Sequence, residues 1–434
     1  MKILFENADI LLRSGEKFTV AENSFLAVDD DTISYIGSQR PYGDFDETKN
    51  MSGKLLMPGL INCHNHSPMV LLRGVGSDLP LQQWLFDTVF PIEDRLTAEE
   101  IKSGSELALL EMIAGGTVSF SDMYFEPQTT IQAVADAGMK ANITRPVQSF
   151  DPNEAPEQSY RIKESLELYD KYNNSFDGRV LIDFCIHAEY TCTETVAKAY
   201  IDEVNARNGN LHIHLSETKK EHDECIEKYG KTPAEWFDSL GGFDSSAFAA
   251  HCVWLSESDM ELFRRKGVSV VHNPTSNMKL ASGFAPIPKM LDMGINVALG
   301  TDGASSNNNL DMFEEMHLAS VIHNGRTLDA TVMNADTVLK TATLSGAKVQ
   351  RRENCGELRV GNKADIIAIS LDAPHLVPAL DKKALLTYTA QSSDVAMTMV
   401  DGRILYENGE YKTLDKERIY FDVKKSIRKL YEVE

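Results

Sequence analysis

Cysteine, clustered positive charge and long apolar runs are all scarce in this sequence of 434 residues. The six cysteines are scattered and form no Cys-x-x-Cys pair, which argues against a disulfide framework and against a structural zinc knuckle. An acidic residue soon interrupts each apolar run, so no segment has the length needed to span a bilayer, and the N-terminus lacks the pattern of a signal peptide. We therefore expect a cytoplasmic globular protein with reduced thiols.

Basic residues are outnumbered, with 43 lysines and arginines against 65 aspartates and glutamates and a formal net charge of −22. Because contacts to phosphates need clustered basic side chains, this balance argues against binding to nucleic acid or to an anionic membrane. The hydrophobic fraction of 42% is ordinary for a soluble protein. The length allows a barrel domain and a second, smaller domain.

Both ends of the chain have patterns typical of short strands separated by turns. Residues 24–37 contain two strand-like runs around an acidic turn, and residues 396–406 contain two more around Asp401-Gly402. Neither end has enough strands to bury a face alone. We expect residues 1–57 and residues 355–434 to form one small β-sandwich together.

The middle of the chain, residues 58–354, alternates strand-like runs with segments long enough for a helix. Residues 99–114, for example, follow Thr97 as an N-cap, carry apolar residues at helical spacing and stop at Gly115-Gly116. Eight such units predict a (β/α)8 TIM barrel, with a doubly wound open sheet as the second interpretation. The expected strands cover residues 60–64, 116–121, 139–147, 179–187, 210–215, 246–253, 268–272 and 295–300.

Side chains that ligate metals stand at the ends of these strands, where a TIM barrel carries its active site. His64 and His66 point to the same side of the first strand because side chains alternate along a strand. Such a pair alone is also compatible with two loop histidines that bind no metal. His214 at the end of the fifth strand and Asp302 after the eighth complete a set of three imidazoles and one carboxylate for zinc or ferrous iron. His212 lies one layer deeper and is typical of a core histidine.

Further side chains suit the chemistry of such a site. A bound divalent cation lowers the pKa of its water, so that hydroxide becomes available as a nucleophile. Glu217 lies just after His214 and can move protons, although the charged run 217–221 is also typical of a solvated surface. Asp302 can accept a proton as well as bind the metal. His251, at the end of the sixth strand, can hydrogen-bond the attacking water or stabilise developing charge.

Six segments form a recognisable set. They are Pro-Gly-Leu-Ile-Asn-Cys-His-Asn-His at 58–66, His-Leu-Ser-Glu-Thr at 214–218, Ala-His-Cys-Val-Trp-Leu at 250–255, His-Asn-Pro-Thr-Ser-Asn-Met-Lys-Leu-Ala-Ser-Gly at 272–283, Leu-Gly-Thr-Asp-Gly-Ala-Ser-Ser-Asn-Asn at 299–308 and Gly-x-Leu-x-x-Gly-x-x-Ala-Asp at 356–365. With them the chain resembles the amidohydrolase superfamily and, within it, the methylthioadenosine/S-adenosylhomocysteine deaminases, over nearly its whole length. The resemblance implies a homo-oligomer and one divalent metal ion, zinc or ferrous iron. Binuclear members carry a modified lysine on the fourth strand, and residues 180–187 contain no lysine.

The resemblance also implies contacts with a nucleoside substrate. Trp84 matches an aromatic side chain that packs on the purine, and an indole face suits a planar base. Glu93 matches the acid that accepts hydrogen bonds from the two ribose hydroxyls. His187 and Ser306 match contacts to the purine.

Two arginines are implied in the same way. Arg145 matches an arginine that meets the homocysteine carboxylate, for which a forked guanidinium is suited. A second arginine is expected nearby, and Arg161 is the nearest candidate.

The implied reaction is hydrolytic deamination of an adenosine-type nucleoside by a metal-bound hydroxide, giving the inosine analogue and ammonia. 5′-Methylthioadenosine, S-adenosylhomocysteine, adenosine and 5′-deoxyadenosine all remain candidate substrates. The alternative is a related amidohydrolase that acts on a free base or a triazine, such as a guanine or cytosine deaminase or a chlorohydrolase. Trp84 together with Glu93 favours a ribosylated purine, because a free base or triazine has no vicinal diol. A non-catalytic relative is the third hypothesis, and the complete ligand set argues against it.

Overall fold

The computed structural model describes residues 1–79 and 81–432, in which strands and helices alternate through the middle of the chain. The strands are β1 (Lys2–Ser14), β2 (Lys17–Asp29), β3 (Thr32–Gly37), β4 (Glu47–Asn50), β5 (Lys54–Pro58), β6 (Leu60–Asn65), β7 (Thr117–Met123), β8 (Lys140–Thr144), β9 (Pro146–Val147), β10 (Val180–Ile182), β11 (Phe184–Ile186), β12 (Asn210–Leu215), β13 (Ser246–His251), β14 (Ser269–His272), β15 (Val297–Leu299), β16 (Ile366–Ser370), β17 (Val395–Val400), β18 (Arg403–Glu407) and β19 (Glu410–Tyr411).

The helices connect these strands and add a C-terminal segment. They are α1 (Leu81–Trp84), α2 (Phe90–Glu93), α3 (Ala98–Ala114), α4 (Pro127–Ala137), α5 (Tyr160–Tyr172), α6 (Glu194–Ala206), α7 (Lys219–Tyr229), α8 (Pro233–Ser239), α9 (Glu257–Lys266), α10 (Pro274–Lys279), α11 (Ile287–Asp292), α12 (Met312–Thr327), α13 (Ala335–Ala342), α14 (Leu344–Val349), α15 (Lys382–Tyr388) and α16 (Lys416–Tyr431). A π-helical turn, Leu85–Val89, lies between α1 and α2. The predicted N-cap of α3 is present, since the Glu100 carboxylate accepts a hydrogen bond from the Thr97 backbone N–H at 3.0 Å.

Each of the eight strand segments predicted within residues 58–354 overlaps at least one strand of the structure. Strands β6 to β15 form two parallel sheets, with the orders β10-β8-β7-β6 and β15-β14-β13-β12-β11-β9. The two sheets are continuous along the chain, because β9 follows β8 and β11 follows β10. At their other edges, the backbone N–H of Asp302 donates to the carbonyl oxygen of His64 at 3.0 Å. The carboxyl ends of these strands therefore lie on one side of the molecule.

Strands from both ends of the chain share one nine-stranded sheet, in which β5 pairs antiparallel with β16. Apolar side chains of this sheet, including Phe5, Leu26, Leu56 and Met399, pack into a buried cluster separate from that of the parallel sheets. The sequence at the two termini therefore builds one β-structure around a shared core.

Lys140, at the start of β8, joins the parallel sheets to the terminal sheet. Its ammonium group lies 2.6 Å from Asp365 Oδ2 and 2.7 Å from Asp401 Oδ1, and its side chain is only 4% exposed. Asp365 precedes β16, and Asp401 lies in the turn between β17 and β18. The buried ammonium thus neutralises the charge of two carboxylates that belong to the terminal sheet.

The C-terminal helix α16 packs on α3. The hydroxyls of Ser426 and Ser103 are 2.8 Å apart, and the Tyr431 hydroxyl donates to the Leu71 carbonyl oxygen at 3.0 Å. Leu430 belongs to the same apolar cluster as Trp84. Among the helices of residues 1–79 and 81–432, none combines the length and the apolar character that crossing a membrane requires.

Candidate metal centre and active site

Three imidazole nitrogens and one carboxylate oxygen converge at the carboxyl ends of the parallel strands. His214 Nε2 lies 3.2 Å from His64 Nε2 and 3.3 Å from His66 Nε2. Asp302 Oδ1 lies 3.3 Å from the Nε2 atoms of both His64 and His66. Ligands bound about 2.0–2.2 Å from one ion at near-tetrahedral angles are about 3.3–3.5 Å apart. Each of these four distances thus matches the spacing of two ligands within a single coordination sphere.

The hydrogen bonds of the imidazoles leave the Nε2 atoms as lone-pair donors. His66 Nδ1 bonds to the Met123 carbonyl oxygen at 2.6 Å, and His214 Nδ1 bonds to the His187 carbonyl oxygen at 2.9 Å. Because a carbonyl only accepts, each Nδ1 carries the proton and each neutral ring has an unprotonated Nε2. When both rings are neutral, their two facing lone pairs at 3.3 Å repel one another, and a cation bound between them removes this repulsion. The donor set therefore fits a divalent metal ion.

The orientation of the His64 ring is fixed by another side chain. Nδ1 of His64 lies 2.9 Å from Nε2 of His212, and both rings are fully buried. His212, which the sequence indicated to be a core histidine, lies directly behind the centre and fixes the ring of His64. Such a partner orients the ligating ring and selects its tautomer.

Asp302 is fixed through its second oxygen. The hydroxyls of Ser276 and Ser306 donate to Oδ2 at 2.6 and 2.8 Å, and the Gly303 N–H donates to Oδ1 at 2.7 Å. These bonds point Oδ1 toward His64 and His66. Ser306, predicted to contact the purine, thus has its hydroxyl directed at Asp302.

Three strand ends near this centre have left-handed backbone conformations. The φ angles are 48° at Ser216, 72° at His251 and 61° at Asp302, all in residues other than glycine. This region is unfavourable for side chains with a Cβ and persists only where the surrounding structure imposes it. The strain coincides with the places where the chain leaves β12, β13 and β15, and the side chains of His251 and Asp302 lie at the centre.

Glu217 is positioned by the capping of helix α7. Thr218 is the N-cap, and Glu221 accepts hydrogen bonds from the Glu217 and Thr218 backbone N–H groups at 2.9 and 3.3 Å. Glu217 itself is buried, which raises the pKa of its carboxyl group. Its Oε1 accepts a hydrogen bond from the Ser282 hydroxyl at 3.3 Å. Burial therefore favours the protonated form of this carboxyl group, which is the form that can act as a proton donor.

His251 faces Glu217. Its Nε2 lies 3.9 Å from Glu217 Oε2, while its Nδ1 bonds to Asn277 Oδ1 at 2.9 Å. Burial opposes protonation of the ring, but the carboxylates of Glu217 and Asp302 outweigh it and raise the pKa of His251. His251 is thus available as a hydrogen-bond donor beside the centre.

One cavity of about 720 Å³ opens from this centre. A volume of this size suits a small organic ligand. The structure brings nearly all of the predicted site residues to its wall, with His64 buried beneath it. Those on the wall are His66, Trp84, Glu93, Arg145, Arg161, His187, His214, Glu217, His251, Asp302 and Ser306.

Trp84 and Glu93 come from the segment that contains α1 and α2. Trp84 is 6% exposed and packs in a cluster with Met69 and Tyr124. Glu93 Oε1 accepts a hydrogen bond from the Tyr124 hydroxyl at 2.6 Å. Burial raises the pKa of Glu93 to about 7, although the bond from Tyr124 opposes this rise.

The other wall contains the two arginines. Arg145 lies between β8 and β9, and its Nε donates to Glu164 Oε2 at 2.8 Å. Arg161, on α5, lies with its guanidinium 4.7 Å from the ring centre of Tyr160. His187 follows β11, and burial lowers its pKa to about 3, which keeps the ring neutral.

Sequence reasoning missed Tyr124 and Glu164, which contact Glu93 and Arg145, and it assigned no role to Ser282. Tyr124 immediately follows β7, so the same position at a strand end that identified the ligands was a signal for it. Glu164 lies within α5, where nothing in the local spacing indicates its contact with Arg145. Asn277, in the segment 272–283, orients His251.

Comparison with known proteins gives a consistent result over the full length. The family described as "Amidohydrolase family" matches residues 55–405. A 5-methylthioadenosine/S-adenosylhomocysteine deaminase from Acetivibrio thermocellus is 43% identical over 435 residues, covering 99% of this chain and 100% of that protein. A 5′-deoxyadenosine deaminase from Methanosarcina acetivorans is 38% identical over 429 residues, covering 98% of each.

Solved structures extend the likeness to the fold. The crystal structure of an adenosine deaminase from Xanthomonas campestris, determined with bound zinc, superposes with a TM-score of 0.94 at 30% identity, covering 99% of each chain. Together with the alternating strands and helices, this match confirms the predicted α/β class of the TIM-barrel type.

Proposed function

Because this chain belongs to the amidohydrolase family, we propose that it is a metal-dependent hydrolase that deaminates adenosine-type nucleosides to the inosine analogue and ammonia. The observation that carries the proposal is the convergence of His64, His66, His214 and Asp302 at the base of a cavity that also holds Trp84 and Glu93. The relatives named for 5-methylthioadenosine, S-adenosylhomocysteine and 5′-deoxyadenosine support these nucleosides as the substrate class.

The four converging ligands would hold one divalent ion, zinc in preference to ferrous iron. The zinc in the crystal structure of the adenosine deaminase supports this choice, as does the donor set of nitrogen and oxygen. Such an ion supplies an activated water at neutral pH and polarises the group under attack.

Glu217 is the proton shuttle in this proposal. Burial raises the pKa of Glu217 and so favours its protonated form, which delivers a proton to N1 of the adenine ring and makes C6 more electrophilic. Asp302 takes the proton released by the attacking water. His251, fixed by Asn277, donates a hydrogen bond to the oxygen that adds to C6 and stabilises its charge. The proton held by Asp302 passes to the amino group, ammonia leaves from C6, and the remaining hydroxyl proton returns to Glu217 as C6 becomes a carbonyl.

The cavity walls hold the rest of the nucleoside. Trp84 packs on the purine face, and Glu93 accepts hydrogen bonds from the two ribose hydroxyls, for which it must be ionised. His187, neutral at physiological pH, and Ser306 lie beside the base. Arg145 and Arg161 meet a carboxylate at the 5′ end of the substrate.

We propose domain limits of 1–57 with 355–434 and of 58–354. The bond from Asp302 N–H to His64 supports closure of the parallel strands into a complete (β/α)8 barrel. Curling of the terminal sheet into a β-sandwich is supported by a bond from its edge strand β3 to the segment that precedes the interior strand β16, in which the Ile33 N–H donates to the Asn362 carbonyl oxygen at 2.9 Å. A homo-oligomer in the cytoplasm that binds neither nucleic acid nor membrane stays a prediction.

An ammonia-release assay tests the proposal. The purified protein is given adenosine, 5′-deoxyadenosine, 5′-methylthioadenosine and S-adenosylhomocysteine, with guanine as the free-base control. We expect ammonia from the nucleosides and none from guanine, and metal analysis of protein purified without chelators should find one divalent ion per chain. Ammonia from guanine alone, or a chain without metal, would contradict the assignment.

A further inference from the structure

An acidic side chain accompanies Arg145 on the cavity wall. Glu164, on helix α5, accepts a hydrogen bond from Arg145 Nε at 2.8 Å, and both residues line the cavity. The Arg145 side chain is 10% exposed, whereas that of Glu164 is 47% exposed. The guanidinium is thus fixed in the wall, and the carboxylate remains accessible to a ligand.

Arg145 and Glu164 keep unused hydrogen-bonding groups of opposite kinds. Arg145 Nη1 donates to the Pro146 carbonyl oxygen at 2.9 Å, so two of the five N–H groups of the guanidinium are used and three remain. Within residues 1–79 and 81–432, Glu164 Oε1 has no hydrogen-bond partner. The pair therefore offers donors for an anion beside an acceptor for a cation.

Adjacent positive and negative groups complement a ligand that carries a negative and a positive group close together. An α-amino acid has this arrangement, with its carboxylate and ammonium on one carbon. The other acids on the cavity wall are Glu93, Asp94, Glu126, Glu217 and Asp302. None of these pairs with Arg145 in the part of the chain that the structure describes, so Glu164 is the acid placed to meet the ammonium group.

We propose that Arg145 and Glu164 together recognise a zwitterionic amino-acid group at the 5′ end of the nucleoside. Arg145 binds the carboxylate and Glu164 binds the ammonium group. The inference rests on the proposed function and adds a specificity residue to it. Because Glu164 repels a tail that has a carboxylate without an ammonium, it selects an amino-acid thioether over a purely anionic one.

Four 5′-thioethers of adenosine test the carboxylate and the ammonium group separately, because they carry both charges, neither charge or only one of them. One carries the homocysteine group, one a methyl group, one a 3-carboxypropyl group and one a 3-aminopropyl group. Their kcat/KM values are measured by ammonia release in the unchanged protein and in Glu164→Gln. The matched control is Glu167→Gln, which makes the same charge change on α5 at a side chain that is 66% exposed and outside the cavity wall.

In Glu164→Gln, we expect kcat/KM for the homocysteine compound relative to the methyl compound to fall by about tenfold. The same ratio for the aminopropyl compound should also fall, and that for the carboxypropyl compound should rise. Glu167→Gln should keep the ratios of the unchanged protein. Equal ratios in Glu164→Gln and the unchanged protein would overturn the proposal.

The unchanged protein gives an independent test if Glu164→Gln does not fold. It should prefer the homocysteine compound to the carboxypropyl compound, and equal kcat/KM values for these two would overturn the role of Glu164. A protein that deaminates all four compounds without this preference retains the proposed function and loses only the present inference. A protein that releases ammonia from none of them overturns the proposed function itself.

Discussion

Removal of the Tyr124 hydroxyl should change how activity depends on pH. This hydroxyl donates to Glu93 Oε1 at 2.6 Å, and Tyr124 is 5% exposed. A hydrogen bond to a charged group contributes about 1.5–3 kcal/mol. Since about 1.4 kcal/mol corresponds to one pH unit of pKa, its loss in Tyr124→Phe favours the protonated form of Glu93.

The direction follows from the state of Glu93 that binds ribose. Burial raises the pKa of Glu93 to about 7, so the carboxyl group is protonated below that pH and ionised above it. Only the ionised form accepts both ribose hydroxyls well, so kcat/KM for adenosine should rise with pH through about 7. In Tyr124→Phe we expect this rise to move upward by about one pH unit or more, with a loss at pH 7 of roughly tenfold.

Two controls isolate the ribose contact. 2′,3′-Dideoxyadenosine lacks both hydroxyls, so its pH profile should not move in Tyr124→Phe. Tyr411→Phe removes a hydroxyl that donates at 3.0 Å to the carbonyl oxygen of Leu110, outside the cavity wall, and should leave the adenosine profile in place. An unchanged adenosine profile in Tyr124→Phe, or an equal displacement for the dideoxy compound, would refute the reasoning.

Three further substitutions probe the site and its support. Glu217→Gln should lower kcat by at least about a hundredfold with metal content unchanged, measured by ammonia release and metal analysis, and near-normal turnover would exclude it as the proton shuttle. Lys140→Met leaves two buried carboxylates uncompensated and should lower the free energy of unfolding, measured in urea, by about 3–5 kcal/mol. The control Lys363→Met removes a half-exposed lysine and should lower it by less than about 1 kcal/mol. Equal losses in the two variants would contradict this prediction. Burial raises the pKa of Glu315 to about 8, so the folded chain holds a proton there that the unfolded chain releases above about pH 4.5. Stability should therefore fall from about pH 4.5 to 8 relative to Glu315→Gln, by at most about 1.4 kcal/mol per pH unit in urea titrations, and parallel curves would disprove it.

The ligand cluster was predictable because position along a strand determines where a side chain ends up. His64 and His66 lie at the end of β6 and just after it, His214 is near the end of β12, and Asp302 comes three residues after β15. In parallel strands that point the same way, such residues meet at one edge whatever the details of helix packing. Tyr124 immediately follows β7, so the same rule predicts that it lies at this edge.

The rest of the site depends on packing between elements. Glu164 reaches Arg145 only because α5 lies against the chain at β8 and β9, and no local periodicity specifies that approach. The role of Ser306 likewise depends on the turn after β15, which directs its hydroxyl to Asp302. The strands at both termini were predictable from their apolar runs. The register shifts between β1 and β2 and the contact between Lys140 and Asp365 have no signal in those runs.

Tolerance to amino-acid change is uneven around the metal centre. His66 and His214 are oriented by main-chain oxygens, those of Met123 and His187, and every amino acid supplies the same carbonyl group. Substitutions at positions 123 and 187 therefore retain the two main-chain hydrogen-bond acceptors. The ring of His64 instead depends on the side chain of His212, so a single codon change can release it. Position 212 lies outside the proposed ligand set, yet a substitution there disturbs the centre through the ring of His64.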